Sequence, residues 1–260
     1  MNATAITVRQ RMSIATKYLR DKLGFPVSYP DYAFAYFKQR ENWACLPEER
    51  VRLLSTLFCR EAGEIARYVA EAEAMVIEER GGPLRKGAIE IGNPMGRTDR
   101  ITLYAAMRVC KPGVVVETGT AAGASATYIL AAMEKNGRGA LYSIDDAQDR
   151  EAMGRLVPEQ LRMRLNLRYG NSMMLIPEVY HEVHQIDCFI HDSLHTYEHM
   201  TSEYELFYRL VEPGGVICSH DILMSNAWRH FMKRHRLHNW GAVKNLGICR
   251  IEKSPTCATG

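Results

Sequence analysis

The stretch Val114-Val115-Val116-Glu117-Thr118-Gly119-Thr120-Ala121-Ala122-Gly123-Ala124-Ser125-Ala126 decides the fold. Its valines predict a short buried strand, Gly119 and Gly123 bracket a tight turn, and Ser125 lies at the start of an alanine-rich helix. Small residues are needed where the backbone takes positive φ or comes close to a ligand. A turn of this kind, at the carboxyl end of a first strand, lies where open α/β sheets bind their ligands. The glycine spacing is not the dinucleotide fingerprint, which disfavours a nicotinamide oxidoreductase, and no Lys follows the glycines to hold a phosphate chain. Glu117, just before the turn, would repel a pyrophosphate but suits a ligand that carries positive charge.

Outward from this turn, short apolar runs alternate with helix-length segments. Strands are predicted over residues 114–116, 141–144, 165–169, 186–191 and 216–219, and a hairpin of 239–243 and 248–251 closes through Lys244-Asn245-Leu246-Gly247. A helix over 98–109 leads into the first strand. The spacing predicts an α/β fold, doubly wound, with a mostly parallel seven-stranded sheet, a closing antiparallel hairpin and an N-terminal helical extension. The second strand ends in Ser143-Ile144-Asp145-Asp146, which puts the Asp145 carboxylate beside the glycine turn. Two carboxylate oxygens match the two hydroxyls of a ribose, so turn and carboxylate together predict an adenosine ligand.

The fourth strand runs from Ile186-Asp187-Cys188-Phe189-Ile190-His191 into Asp192-Ser193-Leu194-His195-Thr196-Tyr197-Glu198, and the fifth ends in Cys218-Ser219-His220-Asp221. Parallel strands bring both tips to the edge that carries the glycine turn, so Asp192, His195, His220 and Asp221 are expected to converge there. Such residues suit two chemistries. They can hold a divalent cation that lowers the pKa of a hydroxyl, or a histidine oriented by a carboxylate can take the proton directly. Tyr197, Tyr204, Phe207 and Tyr208, on the helix expected from Thr196 to Leu210, read as core packing.

The remainder of the chain bounds these readings. Its 260 residues, 47% hydrophobic, suffice for one sizeable core and a smaller appended domain. Residues 1–95 read as a helical extension, with a first turn at Pro47, an apolar stripe through Leu53, Leu54, Leu57, Ala62, Ile65 and Val69, and a stop at Gly81-Gly82-Pro83. The aromatic segment from Tyr29 to Trp43 would wall a pocket or pack on the main domain. Gly92-Asn93-Pro94-Met95-Gly96 marks the boundary to a domain over 96–253, and 254–260 reads as a flexible tail. A net charge of +3 implies no nucleic-acid partner, and the basic run from Arg229 to His238 reads as the solvated face and end of a helix. Seven scattered cysteines, no apolar leader and no membrane-length apolar stretch point to a cytoplasmic protein away from membranes.

Read in order, Glu117-Thr118-Gly119-Thr120-Ala121-Ala122-Gly123-Ala124-Ser125, the Ser143-Ile144-Asp145-Asp146 strand end, Tyr169-Gly170-Asn171-Ser172, the segment 189–198 and the segment 213–223 give the chain a family resemblance. Over about residues 96–252 it resembles a class I S-adenosylmethionine-dependent methyltransferase, within the group of natural-product O-methyltransferases and cephalosporin-hydroxylase-like proteins. The resemblance implies that the loop with Glu117, Gly119, Thr120 and Gly123 cradles the methionine part of S-adenosyl-L-methionine, supported by Ser125. Asp145 would bind the ribose, Asn171 and Ser172 would lie beside the adenine, and Asp192 would stand beside the cofactor, near the acceptor hydroxyl. It further implies Mg2+ or Mn2+ at Asp192, His220 and Asp221, although His220 departs from the carboxylate that relatives carry there. Catalysis would fall to Asp192, His195 and His220, acting on a small-molecule, secondary-metabolite acceptor. Residues 1–95 would form an acceptor lid or the subunit interface of a homo-oligomer. N-methylation and a catalytically silent scaffold of the same fold stay open as alternatives.

Overall fold

The computed structural model describes residues 43–44, 47–75, 95–146 and 149–252. The aromatic segment before Trp43, the Gly81-Gly82-Pro83 stop, most of the linker before Gly96 and the tail after residue 252 lie outside the described residues. Contacts divide the chain into residues Met1–Trp43 and Ala44–Gly260.

Among the described residues, seven strands longer than two residues form one sheet: β1 (Val114–Thr118), β2 (Ala140–Asp145), β3 (Leu165–Tyr169), β4 (Ile186–His191), β5 (Val211–Ser219), β6 (Trp240–Val243) and β7 (Leu246–Arg250). Their order across the sheet is β6-β7-β5-β4-β1-β2-β3. The first five are parallel, whereas β7 runs antiparallel to β5 and to β6. The central strands are apolar because helices cover both of their faces: Val115, Val116, Cys188, Phe189 and Ile190 are fully buried.

Of the strands whose bounds differ from those predicted, two do so for identifiable local reasons. β5 begins at Val211, before Pro213-Gly214-Gly215, and a register shift against β4 between Ile186 and Cys188 absorbs the extra residues as a bulge. β7 begins at Leu246, since Lys244 and Asn245 alone make the hairpin turn, with Lys244 at φ 50°.

Among the described residues the α-helices are α1 (Pro47–Phe58), α2 (Ala62–Glu73), α3 (Arg97–Cys110), α4 (Ala124–Asn136), α5 (Ser172–Val183), α6 (Tyr197–Leu210) and α7 (Ala227–Arg234). The apolar stripe expected to run unbroken from Pro47 divides into α1 and α2 because Cys59 turns left-handed at φ 52°. Leu54, Leu57, Ile65, Tyr68, Val69 and Ala72 join one core with Leu103, Met107 and Val115, so α1 and α2 belong to the body that carries the sheet. A polar tie reinforces the α2–α3 packing: Tyr104 and Arg108 both donate to Glu71, at 3.0 and 3.1 Å.

Helix α7 buries Ala227, Trp228, Phe231 and Met232 and turns Arg229, His230, Lys233 and Arg234 to solvent, as the spacing of the basic run predicts. On α6, Tyr204 and Phe207 are fully buried; Phe207 stacks on Phe189. The five described cysteines, Cys59, Cys110, Cys188, Cys218 and Cys249, are free. No helix among the described residues is long and apolar enough to cross a membrane.

Candidate active site

Strand register sets the site. Thr118 pairs with Ile144 on one side and His191 on the other, and His191 pairs in turn with Ser219. The next residue on each strand, Gly119, Asp145, Asp192 and His220, therefore leaves the sheet at a common edge.

The glycine turn is built from the inside. Gly119 and Gly123 have φ 91° and 88°, in the region that Cβ-bearing residues avoid. Glu117 is fully buried and accepts from Ser125 Oγ (2.5 Å) at one oxygen and from Ser143 Oγ (2.6 Å) at the other. Thr120 Oγ1 meets the same Ser143 hydroxyl at 2.6 Å. Burial pushes the Glu117 carboxyl up to about 7, against the pull of its two serine hydrogen bonds. Asp145 Oδ2 accepts from the Ala121 backbone N–H at 2.6 Å and so ties the tip of β2 to the turn. Asn171 caps α5, accepting from Met173 N at 3.0 Å, while Ser172 is buried and donates to Glu203 at 2.5 Å.

Across from the turn, Asp192, His195 and His220 bring donor atoms within 4.8 Å of one another. His220 Nδ1 is 2.9 Å from Asp192 Oδ1, and His195 Nε2 is 3.5 Å from the same oxygen. The other nitrogen of His220, Nε2, is 3.5 Å from Oδ2 of Asp99 in the first turn of α3. Burial works against a charge on His220, but hydrogen bonds to Asp192 and Asp99 outweigh it and raise the imidazole to about 10. Asp192 responds in the opposite sense: burial would raise its carboxyl, and the contacts with His195 and His220 hold it below its ordinary value.

Of the residues expected to hold a cation, Asp192 and His220 stand together. Asp221 is beside them, its Oδ2 3.8 Å from His220 Nδ1 and 3.9 Å from His195 Nε2, but its Oδ1 accepts from Asn245 Nδ2 and it is not one of the converging three. One carboxylate and two imidazoles at this separation fit a divalent cation, and His195 Nε2 is buried without a hydrogen-bond partner.

Sequence reasoning missed three residues that build this edge. Glu203 of α6 is fully buried and accepts from Thr118 Oγ1 (2.8 Å), Ser172 Oγ (2.5 Å) and Ser193 Oγ (3.1 Å), with His191 Nδ1 at 2.6 Å and His199 Nε2 at 2.9 Å. It thus joins the tips of β1 and β4, the loop after β4 and the start of α5. The signal was present: Glu203 lies on the helical stripe Met200, Tyr204, Phe207, all of which are buried. Asp99 and Asn245 carried no such signal, since only tertiary packing brings them to the strand tips.

Comparison with known proteins agrees with this architecture. A family described as a methyltransferase domain matches residues 116–222, from within β1 to just past His220 and Asp221. No curated protein matches the chain. Among solved structures, cofactor-bound Rv0187 from MTB is 12% identical, with TM-score 0.51 over 80% of this chain and 99% of its own. The O-methyltransferase TomG from Streptomyces achromogenes, involved in tomaymycin synthesis and solved with SAM, is 12% identical, with TM-score 0.52 over 75% of this chain and 92% of its own. At this identity the likeness is one of fold.

Proposed function

We propose that the chain is a class I methyltransferase that moves the methyl group of S-adenosyl-L-methionine to a hydroxyl of a small, natural-product acceptor, a reading supported by the methyltransferase-domain match over residues 116–222 and by the likeness of fold. The observation that carries the reading is the convergence of Asp192, His195 and His220 at the edge that also holds Gly119 and Asp145. In this reading the turn from Glu117 to Gly123 cradles the methionine part of the cofactor, with Ser125 bracing Glu117, and Asp145 faces the ribose. A sulfonium and an ammonium beside Glu117 would favour its ionised form, for which two serine hydroxyls already stand as donors.

Transfer is an in-line displacement: an oxygen lone pair forms the new bond to the methyl carbon as the carbon–sulfur bond breaks, and the demethylated cofactor leaves neutral at sulfur. The acceptor proton passes to His195 or Asp192. In the metal-free protein His220, clamped as a cation between Asp192 and Asp99, is a poor base and serves as a positive charge behind Asp192. A divalent cation at Asp192 and His220 would lower the pKa of the acceptor hydroxyl.

The test is calorimetric titration of the full chain with S-adenosylmethionine and its demethylated product, then mass-spectrometric screening of hydroxylated small molecules for a gain of one methyl group. Micromolar binding and a methyl ether product are expected. Folded protein that binds neither cofactor form would overturn the reading, and methylation of amines but not hydroxyls would move it to nitrogen.

A further inference from the structure

The two histidines at the strand tips differ in what lies behind and in front of them. His220 presents Nδ1 to Asp192, while its Nε2 is backed by the Asp99 carboxylate 3.5 Å away. Asp99 is 4% exposed, and its Oδ1 has no hydrogen-bond partner. Its position in the first turn of α3 favours a carboxylate, because the helix dipole is positive there. An imidazole with a carboxylate on its far nitrogen is how proteins set the tautomer and direction of a metal-binding histidine. His195 presents Nε2 into the same space, buried and with no hydrogen bond, at ion-pair distance from Asp192. Asp221 is drawn aside by Asn245 and sits in left-handed backbone at φ 53°.

Resting on the methyltransferase reading, we propose that this edge is a transition-metal site made by Asp192, His195 and His220, with Asp99 orienting His220, and that it selects Mn2+, Co2+ or Zn2+ over Mg2+. Two imidazoles and one carboxylate are a softer donor set than the all-oxygen shell Mg2+ demands, and imidazole affinity rises along the first-row divalent ions. The ion takes the place of the proton on His220 Nδ1, so that Asp192 and the two rings bond to it in place of one another. His195 is then a ligand, which leaves the acceptor's proton to the other oxygen of Asp192. The ligand set differs from the triad expected from sequence in that His195 replaces Asp221.

The experiment titrates metal-stripped full-length protein with Co2+, followed by visible absorption, with parallel titration of the demethylated cofactor as a measure of folding and of the methyltransferase reading. One Co2+ per chain is expected, with visible bands that Zn2+ abolishes and millimolar Mg2+ leaves in place. His195→Ala should weaken Co2+ by roughly 100-fold and Asp99→Asn by about 10-fold, in the range seen for ligand and supporting groups. Asp221→Asn should change it by less than about threefold, as expected of a group outside the coordination shell. Absence of a Co2+ spectrum in protein that binds the demethylated cofactor overturns the metal site alone. Displacement of Co2+ by equimolar Mg2+, or loss in Asp221→Asn with none in His195→Ala, overturns the ligand assignment. Failure of the wild-type protein to bind the cofactor sinks the methyltransferase reading instead.

Discussion

The backbone carbonyl of Asp192 stands directly against Gly119: a Cβ on Gly119 would fall 2.1 Å from that oxygen. The same residue's N–H donates to Thr118 O at 2.8 Å, so the glycine turn and the loop carrying Asp192 are one interlocked unit. Gly119→Ala should therefore cost about 3 kcal/mol, summing left-handed strain and overpacking, and should weaken cofactor binding. Gly137→Ala is the control, because φ is 68° there but nothing lies within 4 Å of a new Cβ; about 1 kcal/mol of backbone strain is expected. Thermal melts and calorimetry of both variants decide whether close approach, rather than positive φ alone, sets the requirement at Gly119.

Asp192→Ala removes the carboxylate that both His195 and His220 face. Turnover with a verified acceptor should fall by at least about 100-fold, the scale of a lost acid–base group, while the demethylated cofactor still binds through the intact turn. Steady-state kinetics beside calorimetry checks this. Unchanged turnover would remove Asp192 from the mechanism.

Glu203 should matter to stability in acid. Burial alone would raise its carboxyl, but hydrogen bonds from His191 and His199 overrule it and hold the group well below its ordinary 4.5. The native state then binds that proton less tightly than the unfolded chain, so the stabilisation is complete above pH 4.5 and drains away as pH falls below it. Glu203→Ala should cost about 3–5 kcal/mol near neutral pH, the range for breaking a buried charged pair. Glu203→Gln should flatten the acid limb of stability measured by urea unfolding, and an unchanged limb would refute the assignment.

Glu117 has the opposite sign. Its carboxyl is raised from 4.5 to about 7, so the folded state holds the proton more tightly. Its contribution is full below pH 4.5 and is lost as pH climbs through 7, on the order of 3 kcal/mol across that window. Glu117→Gln should remove the decline between pH 5 and 8 in the unfolding free energy of the cofactor-free protein. A decline that persists would place its origin elsewhere.

The sheet and the turn were legible because local rules carry them. Valine-rich runs, glycines at 119 and 123, and strand-end carboxylates at 145 and 192 follow from periodicity and backbone sterics, which act over a few residues. Parallel register then delivers Gly119, Asp145, Asp192 and His220 to one edge with little further information. In the N-terminal helices an apolar stripe shows that α1 and α2 bury a face but not against what. Their packing with Leu103 and Met107 made them part of the main body.

By itself, the sequence determined the α/β winding, the glycine turn and the four strand tips, since each depends on neighbours along the chain. Tertiary structure alone decided that Asp99 backs His220, that Glu203 gathers the tips from within, and that Asn245 draws Asp221 aside. Those pairings join residues far apart in the chain, and their energies come from burial and from hydrogen bonds at particular distances and angles, which exist only once the helices have closed over the sheet.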